Sequence, residues 1–146
     1  MKKQIVILGA LVVGIMAWSG CTKEDLIGSM TATVNGTSWT ATGQAAVAVQ
    51  NRVVITGSTA SSTIVLSPNG KAAGTYNTDV FEGSVQPFVY TPNLNTPQNT
   101  YAGSSGSIVI TSYSNNRLSG TFNVSATNAT PETINITGEF KNILIN

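Results

Sequence analysis

Leu118-Ser119-Gly120-Thr121-Phe122-Asn123-Val124-Ser125-Ala126-Thr127 puts an apolar or small residue at every second position and a hydroxyl or amide between each pair, without a break. A period of two belongs to a strand with one face on a core and the other in water, whereas a helix would need apolar residues three and four apart. Downstream, Ile134, Ile136, Gly138 and Phe140 alternate in the same way with Thr133, Asn135, Thr137 and Glu139, and Ile143 to Ile145 closes the chain. Far upstream, Met30, Ala32 and Val34 alternate with Thr31, Thr33 and Asn35. Asn35-Gly36 follows, a pair that readily takes positive φ, so residues 30–35 and 37–42 are expected to form a hairpin with Trp39 packing into the core from its second arm.

Working inward, Ala45, Val47 and Val49 read as the apolar face of a further strand, and Val53 to Ile55 as its hairpin partner across Gln50-Asn51. Ile64, Val65 and Leu66 lead into Pro68-Asn69-Gly70, a turn signal, and Gly74-Thr75-Tyr76-Asn77 follows as a short strand. A shift of 46 residues lays Asn69, Lys71, Gly74, Thr75, Tyr76 and Asn77 on Asn115, Arg117, Gly120, Thr121, Phe122 and Asn123. This reads as one strand-turn-strand unit used twice. Many short strands separated by turn residues, with no helical window, predict an all-β fold: an antiparallel β-sandwich, with a small β-barrel as the alternative.

Residues 78–106 depart from this pattern. They are rich in Pro, Asn and Ser, with Pro87, Pro92 and Pro97 around Phe88-Val89-Tyr90, and are expected to form long loops about one short strand. Long loops are where binding surfaces concentrate, so Phe88, Tyr90 and Tyr101 become the candidate binding residues, with Phe81 as a further aromatic member. Their exposure as a cluster would favour stacking on a glycan or packing on a protein; their burial would favour a structural role.

The first 20 residues read as a leader. Lys2 and Lys3 precede an uncharged apolar run over residues 5–18, and Ser19-Gly20-Cys21 closes it. The run holds 14 residues, whereas a stable span needs about 20, so cleavage is expected rather than permanent insertion. Small residues directly before a cysteine resemble the lipobox of bacterial lipoproteins, which implies lipidation of Cys21 and a membrane partner reached through lipid. Thr22-Lys23-Glu24-Asp25 is similar to the export signal that sends Bacteroidetes lipoproteins to the outer face of the outer membrane; a periplasm-facing anchor is the alternative. The expected domains are therefore a signal peptide at 1–20, a lipidated tether at 21–29 and one β domain at 30–146.

Composition removes most chemistry. Without the leader the chain keeps five basic residues against six acidic ones, and Arg52, Lys71, Arg117 and Lys141 stand singly, so no basic stripe offers itself to nucleic acid. Histidine is absent and Cys21 is the lone cysteine, which rules out a Ser-His-Asp triad, a Cys-His pair and histidine-ligated zinc. Asp79 and Glu82 are too few carboxylates for an expected calcium site. No enzyme activity, cofactor or metal is expected. Residues 30–39, Gly74-Thr75-Tyr76, and Gly106-Ser107-Ile108-Val109-Ile110-Thr111 followed by Ser119-Gly120-Thr121-Phe122 resemble small Bacteroidetes lipoproteins of an uncharacterised family. That resemblance implies a compact β domain on a lipid anchor and brings no catalytic residues. Two functions remain in view: a cell-surface module binding glycan or protein, and a structural envelope component without a ligand.

Overall fold

The computed structural model describes residues 28–79 and 85–146. Ten strands follow one another: β1 (Ser29–Val34), β2 (Thr37–Thr40), β3 (Gly43–Val49), β4 (Arg52–Ser58), β5 (Thr63–Leu66), β6 (Gly74–Asn77), β7 (Phe88–Thr91), β8 (Tyr101–Ser114), β9 (Arg117–Thr127) and β10 (Thr133–Leu144). A three-residue 3-10 turn at Pro97–Asn99 is the only helical element among the described residues. All strands join one antiparallel sheet in the order β2-β1-β10-β9-β8-β7-β5-β4-β3, with β6 added to β8 off that path. The all-β, antiparallel expectation holds, and a single sheet curled into a half-barrel realises it.

The curl follows from connectivity. The edge strands β2 and β3 are consecutive in sequence and separated only by Ala41 and Thr42. Three Cα steps of 3.8 Å leave those edges at most about 11 Å apart at that end, so a nine-strand path has to bend back on itself. The seam is tied at several points. Thr42 N donates to Ser58 O at 2.8 Å, Asn146 N donates to Ala46 O at 2.9 Å, and Ala46 and Ile145 form an isolated parallel bridge. Trp39 Nε1 reaches from β2 to Ser62 Oγ beyond β4 at 2.8 Å, and Ser62 is itself hydrogen-bonded to Thr59 Oγ1 at 2.7 Å.

The concave side holds the core. Leu118, Gly120, Phe122, Val124 and Ala126 of β9 are all buried, as the alternation requires, and Met30, Ile55, Ile64, Leu66, Phe88 and Phe140 close over them. Tight curvature brings backbones close, and two reciprocal cross-strand pairs show how: Gly120 lies opposite Phe140 and Gly138 opposite Phe122. A Cβ on Gly120 would overlap Val109 O and the Phe140 ring, and one on Gly138 would overlap the Phe122 ring and Thr31 O. Each ring thus covers the glycine of the neighbouring strand.

Three sequence expectations need correction. Ala46, not Ala45, Val47 and Val49, faces the core from β3, because pairing sets Ala46 against the buried Ile55 and leaves Val47 and Val49 on the outside. In a strand, a shift of one residue reverses the face. The expected hairpin over 63–77 does not form: β5 is paired on both edges, by β4 and β7, and β6 goes instead to β8. Finally, the segment after residue 100 is not loop, since Tyr101 opens the 14-residue β8, whose irregularity at Gly103/Ser105 absorbs the small polar run.

The two similar segments are nonetheless placed alike. β6 and β9 flank β8 on opposite edges in the same register, Gly74 and Gly120 against Ile110, Thr75 and Thr121 against Val109, Tyr76 and Phe122 against Ile108, Asn77 and Asn123 against Ser107. The shared pattern therefore records a shared partner strand rather than a shared hairpin.

Gly120→Ala should destabilise the domain by about 3 kcal/mol, because backbone sits in the way and cannot move aside. Ser114→Ala, at an exposed position of β8, should stay within about 0.5 kcal/mol in the same thermal or urea unfolding series. In the opposite direction, Thr78 is fully buried and its Oγ1 has no hydrogen-bond partner. Thr78→Val should raise stability by about 1 kcal/mol by removing that unsatisfied hydroxyl at constant shape.

Candidate functional site

The sequence-derived candidates are brought together, but not as a surface. Phe88 opens β7 fully buried, its ring 6.0 Å from that of Phe122 and tilted by 44°. Tyr90, two residues on and on the same face, is only 8% exposed. Pairing of β5 with β7 sets Leu66 against Phe88 and Ile64 against Tyr90, so these aromatics fill the hollow of the sheet. Phe88 and Tyr90 are corrected from candidate binding residues to core: period two continues through a stretch whose prolines suggested loop. Tyr101 is half-buried. Its ring lies 6.2 Å from that of Tyr90, and its hydroxyl donates to Glu132 Oε2 at 3.0 Å, tying the start of β8 to the β9–β10 connection. Cys21, the leader, the tether up to residue 27, Phe81 and Glu82 lie outside the described residues.

Both tyrosines hold their protons more tightly than usual. Burial raises the Tyr90 hydroxyl, and Tyr101 is raised by burial first, then by its hydrogen bond to Glu132 and that carboxylate's charge. Among the described residues, no three His, Cys, Asp or Glu side chains gather to hold a metal.

What faces solvent is a wall of hydroxyls and amides. With the apolar rows turned inward, six strands present Ser38, Thr33, Thr137, Asn123, Ser107 and Asn77 in one outward row across β2, β1, β10, β9, β8 and β6. A parallel row starts with Thr40, Thr31 and Glu139. Between these rows Trp39, Ala32 and Gly138 turn their side-chain direction to the core, as the contact of Trp39 with Gly57 shows, and leave backbone as a floor. The result is a trough of about 330 Å³ over β2, β1 and β10, walled by Thr31, Thr33, Ser38, Thr40, Thr137 and Glu139. The signal for it was the same alternation that revealed the strands, read for its polar half. A second depression, about 340 Å³, lies at the β3–β4 turn beside Arg52, whose Nη2 donates to Asn69 Oδ1.

Fold and surface together define a single-sheet β half-barrel with a buried aromatic core and a neutral, hydroxylated outer wall. Residues 28–144 match the family described as a domain of unknown function, DUF6252, and the chain belongs to that family. No curated protein and no solved structure matches the chain.

Because Tyr90 and Tyr101 have raised values in the folded state, the fold retains protons that the unfolded chain, titrating near 10, gives up. Their contribution is complete below pH 10, and stability should fall as pH rises from there through the folded values. Urea unfolding of Tyr90→Phe/Tyr101→Phe should show a shallower loss above pH 10 than wild type.

Proposed function

We propose that the chain is an exported lipoprotein, held through lipid on Cys21 at the outer face of the outer membrane, whose DUF6252 half-barrel is a non-catalytic binding module. The observation that carries this reading is the apolar leader ending in Trp18-Ser19-Gly20-Cys21, eight residues before β1 opens at Ser29. At about 3.5 Å per residue, eight residues reach at most about 28 Å, so the half-barrel stands close to its anchor. One acyl chain binds a membrane marginally, and the several chains of a bacterial lipoprotein hold it durably. The resemblance of the chain to small Bacteroidetes lipoproteins supports the same address. The neutral hydroxylated wall supports a role in water at a cell surface, with sugar or protein as the partner class and no part for nucleic acid, metal or cofactor.

A second reading, a structural envelope component without a ligand, is favoured by the burial of Phe88 and Tyr90, which removes the expected aromatic platform. The two readings share the anchor and differ in whether the wall is used.

Full-length protein and Cys21→Ala should be expressed in a bacterium that processes such lipoproteins, with palmitate labelling and protease shaving of intact cells. Labelled, shaved wild type beside unlabelled Cys21→Ala is expected. Labelling without shaving would move the domain to the periplasmic side, and absence of label would overturn the anchor.

A further inference from the structure

We infer that the trough over β2, β1 and β10 is a subsite for a neutral oligosaccharide; the inference rests on the surface-module reading and specifies its ligand. Where β8 opens, β9 ends and β10 begins, a patch of outward hydroxyls and amides is joined by hydrogen bonds. Ser125 Oγ donates to Asn135 Oδ1 at 2.8 Å, Thr127 and Thr133 are joined through their hydroxyls at 3.1 Å, and Ser104 Oγ donates to Ser125 O at 3.0 Å. In the trough, no hydrogen bond within the protein engages the hydroxyls of Thr31, Thr33, Ser38, Thr40 or Thr137 among the described residues. Five hydroxyls, each able to donate once and accept twice, therefore face one concave volume uncommitted.

Their spacing suits a polyol. Neighbouring strands lie about 4.8 Å apart and alternate residues about 6.8 Å apart, so the two walls face each other across about one sugar-ring width and run about 10 Å over three strands. The hydroxyls stand on β-branched threonines in paired strands, whose rotamers are restricted, so ordering them on binding costs little.

Charge narrows the ligand class. Among the described residues Glu139 is the only ionic one in the walls, and its Oε1 is 3.2 Å from Lys141 Nζ at the rim. One carboxylate oxygen is left to accept from a vicinal diol, while among the described residues no cation lines the trough to recruit a phosphate, sulfate or uronate. An anionic glycan would meet the free oxygen of a carboxylate whose cationic partner, Lys141, is already engaged at the rim; a neutral one meets acceptors and donors only. The aromatic platform expected in the loops is absent, so recognition here is by hydrogen bonding along a backbone floor, with the Trp39 ring beneath that floor rather than on it.

The test uses the processed protein in detergent, with maltohexaose, cellohexaose, mannohexaose and xylohexaose as probes, read by calorimetry and by Trp39 fluorescence. Wild type is expected to bind at least one probe. Thr33→Val/Thr137→Val, which keeps β-branching and should leave the melting temperature unchanged, is expected to weaken that binding at least about tenfold. Glu139→Gln should weaken it less, and its fold does not depend on the threonine changes. Thr127→Val/Thr133→Val removes a mutually satisfied pair on the same wall and should leave affinity unchanged. Failure of wild type to bind any of the four would overturn the proposal while leaving the anchor to the labelling experiment. Binding that survives the trough variants, or that falls equally in the Thr127/Thr133 control, would overturn it as well.

Discussion

Two residues, Ala41 and Thr42, join the strands at opposite edges of the sheet, and the remainder of the architecture accommodates that link. A flat sheet of this size would hold its edges several strand spacings too far apart for so short a connection. Bending the sheet brings them together and creates the hollow in which the core is buried. It also resolves the edge problem in part, because Ile145 and Asn146 cover β3 at Ala46 and β2 is only four residues long. Trp39 belongs to the same device: its indole fills space beside Gly57 on the opposite side of the seam, and its N–H finds Ser62 there.

Bending has a steric requirement that the glycines meet. At Gly120 and Gly138, opposite Phe140 and Phe122, the strands approach where any side chain would strike backbone. The aromatic rings that cover these glycines are themselves buried, so Phe122 and Phe140 serve curvature and core packing together. The long β8 then serves as the spine, with β9 along one edge and β7 and β6 sharing the other.

The same partition sets what the surface can offer. An interior that consumes Phe88, Phe122, Phe140 and Tyr90 leaves few aromatics for recognition, and a near-neutral composition leaves few charges. What remains for an outside partner is the polar half of the alternation, a grid of Thr, Ser and Asn held at strand spacing. At one end of β8, β9 and β10, Ser104, Ser125, Thr127, Thr133 and Asn135 are joined by hydrogen bonds, while over β2, β1 and β10 a concave part of the grid has none among the described residues. Packing and contact with solvent therefore use opposite faces of one layer, which lets the outer face vary without disturbing the packing beneath.

Alternation along a strand is a local property, so β9, the first four pairs of β10 and the Asn35-Gly36 hairpin are legible residue by residue in the sequence, down to which side chains are buried. The absence of histidine and of a second cysteine is equally a matter of composition. Partner choice is not local. Val47 and Val49 are larger than Ala46, yet Ala46 is buried because β4 sets the register and Ile145 crosses there. Residues 63–77 carry hairpin signals, yet β5 and β6 part company because other strands occupy both edges of β5. Phe88 and Tyr90 sit among prolines that mark a loop, yet the hollow of the sheet takes them in. Strands, turns and the polar or apolar character of each face are local outcomes, since they depend on neighbours two to four residues away. Which strands meet, which aromatics vanish into the core and where hydroxyls from three strands line one trough are settled by the three-dimensional fold, because those outcomes depend on how a curled sheet closes over long sequence separations.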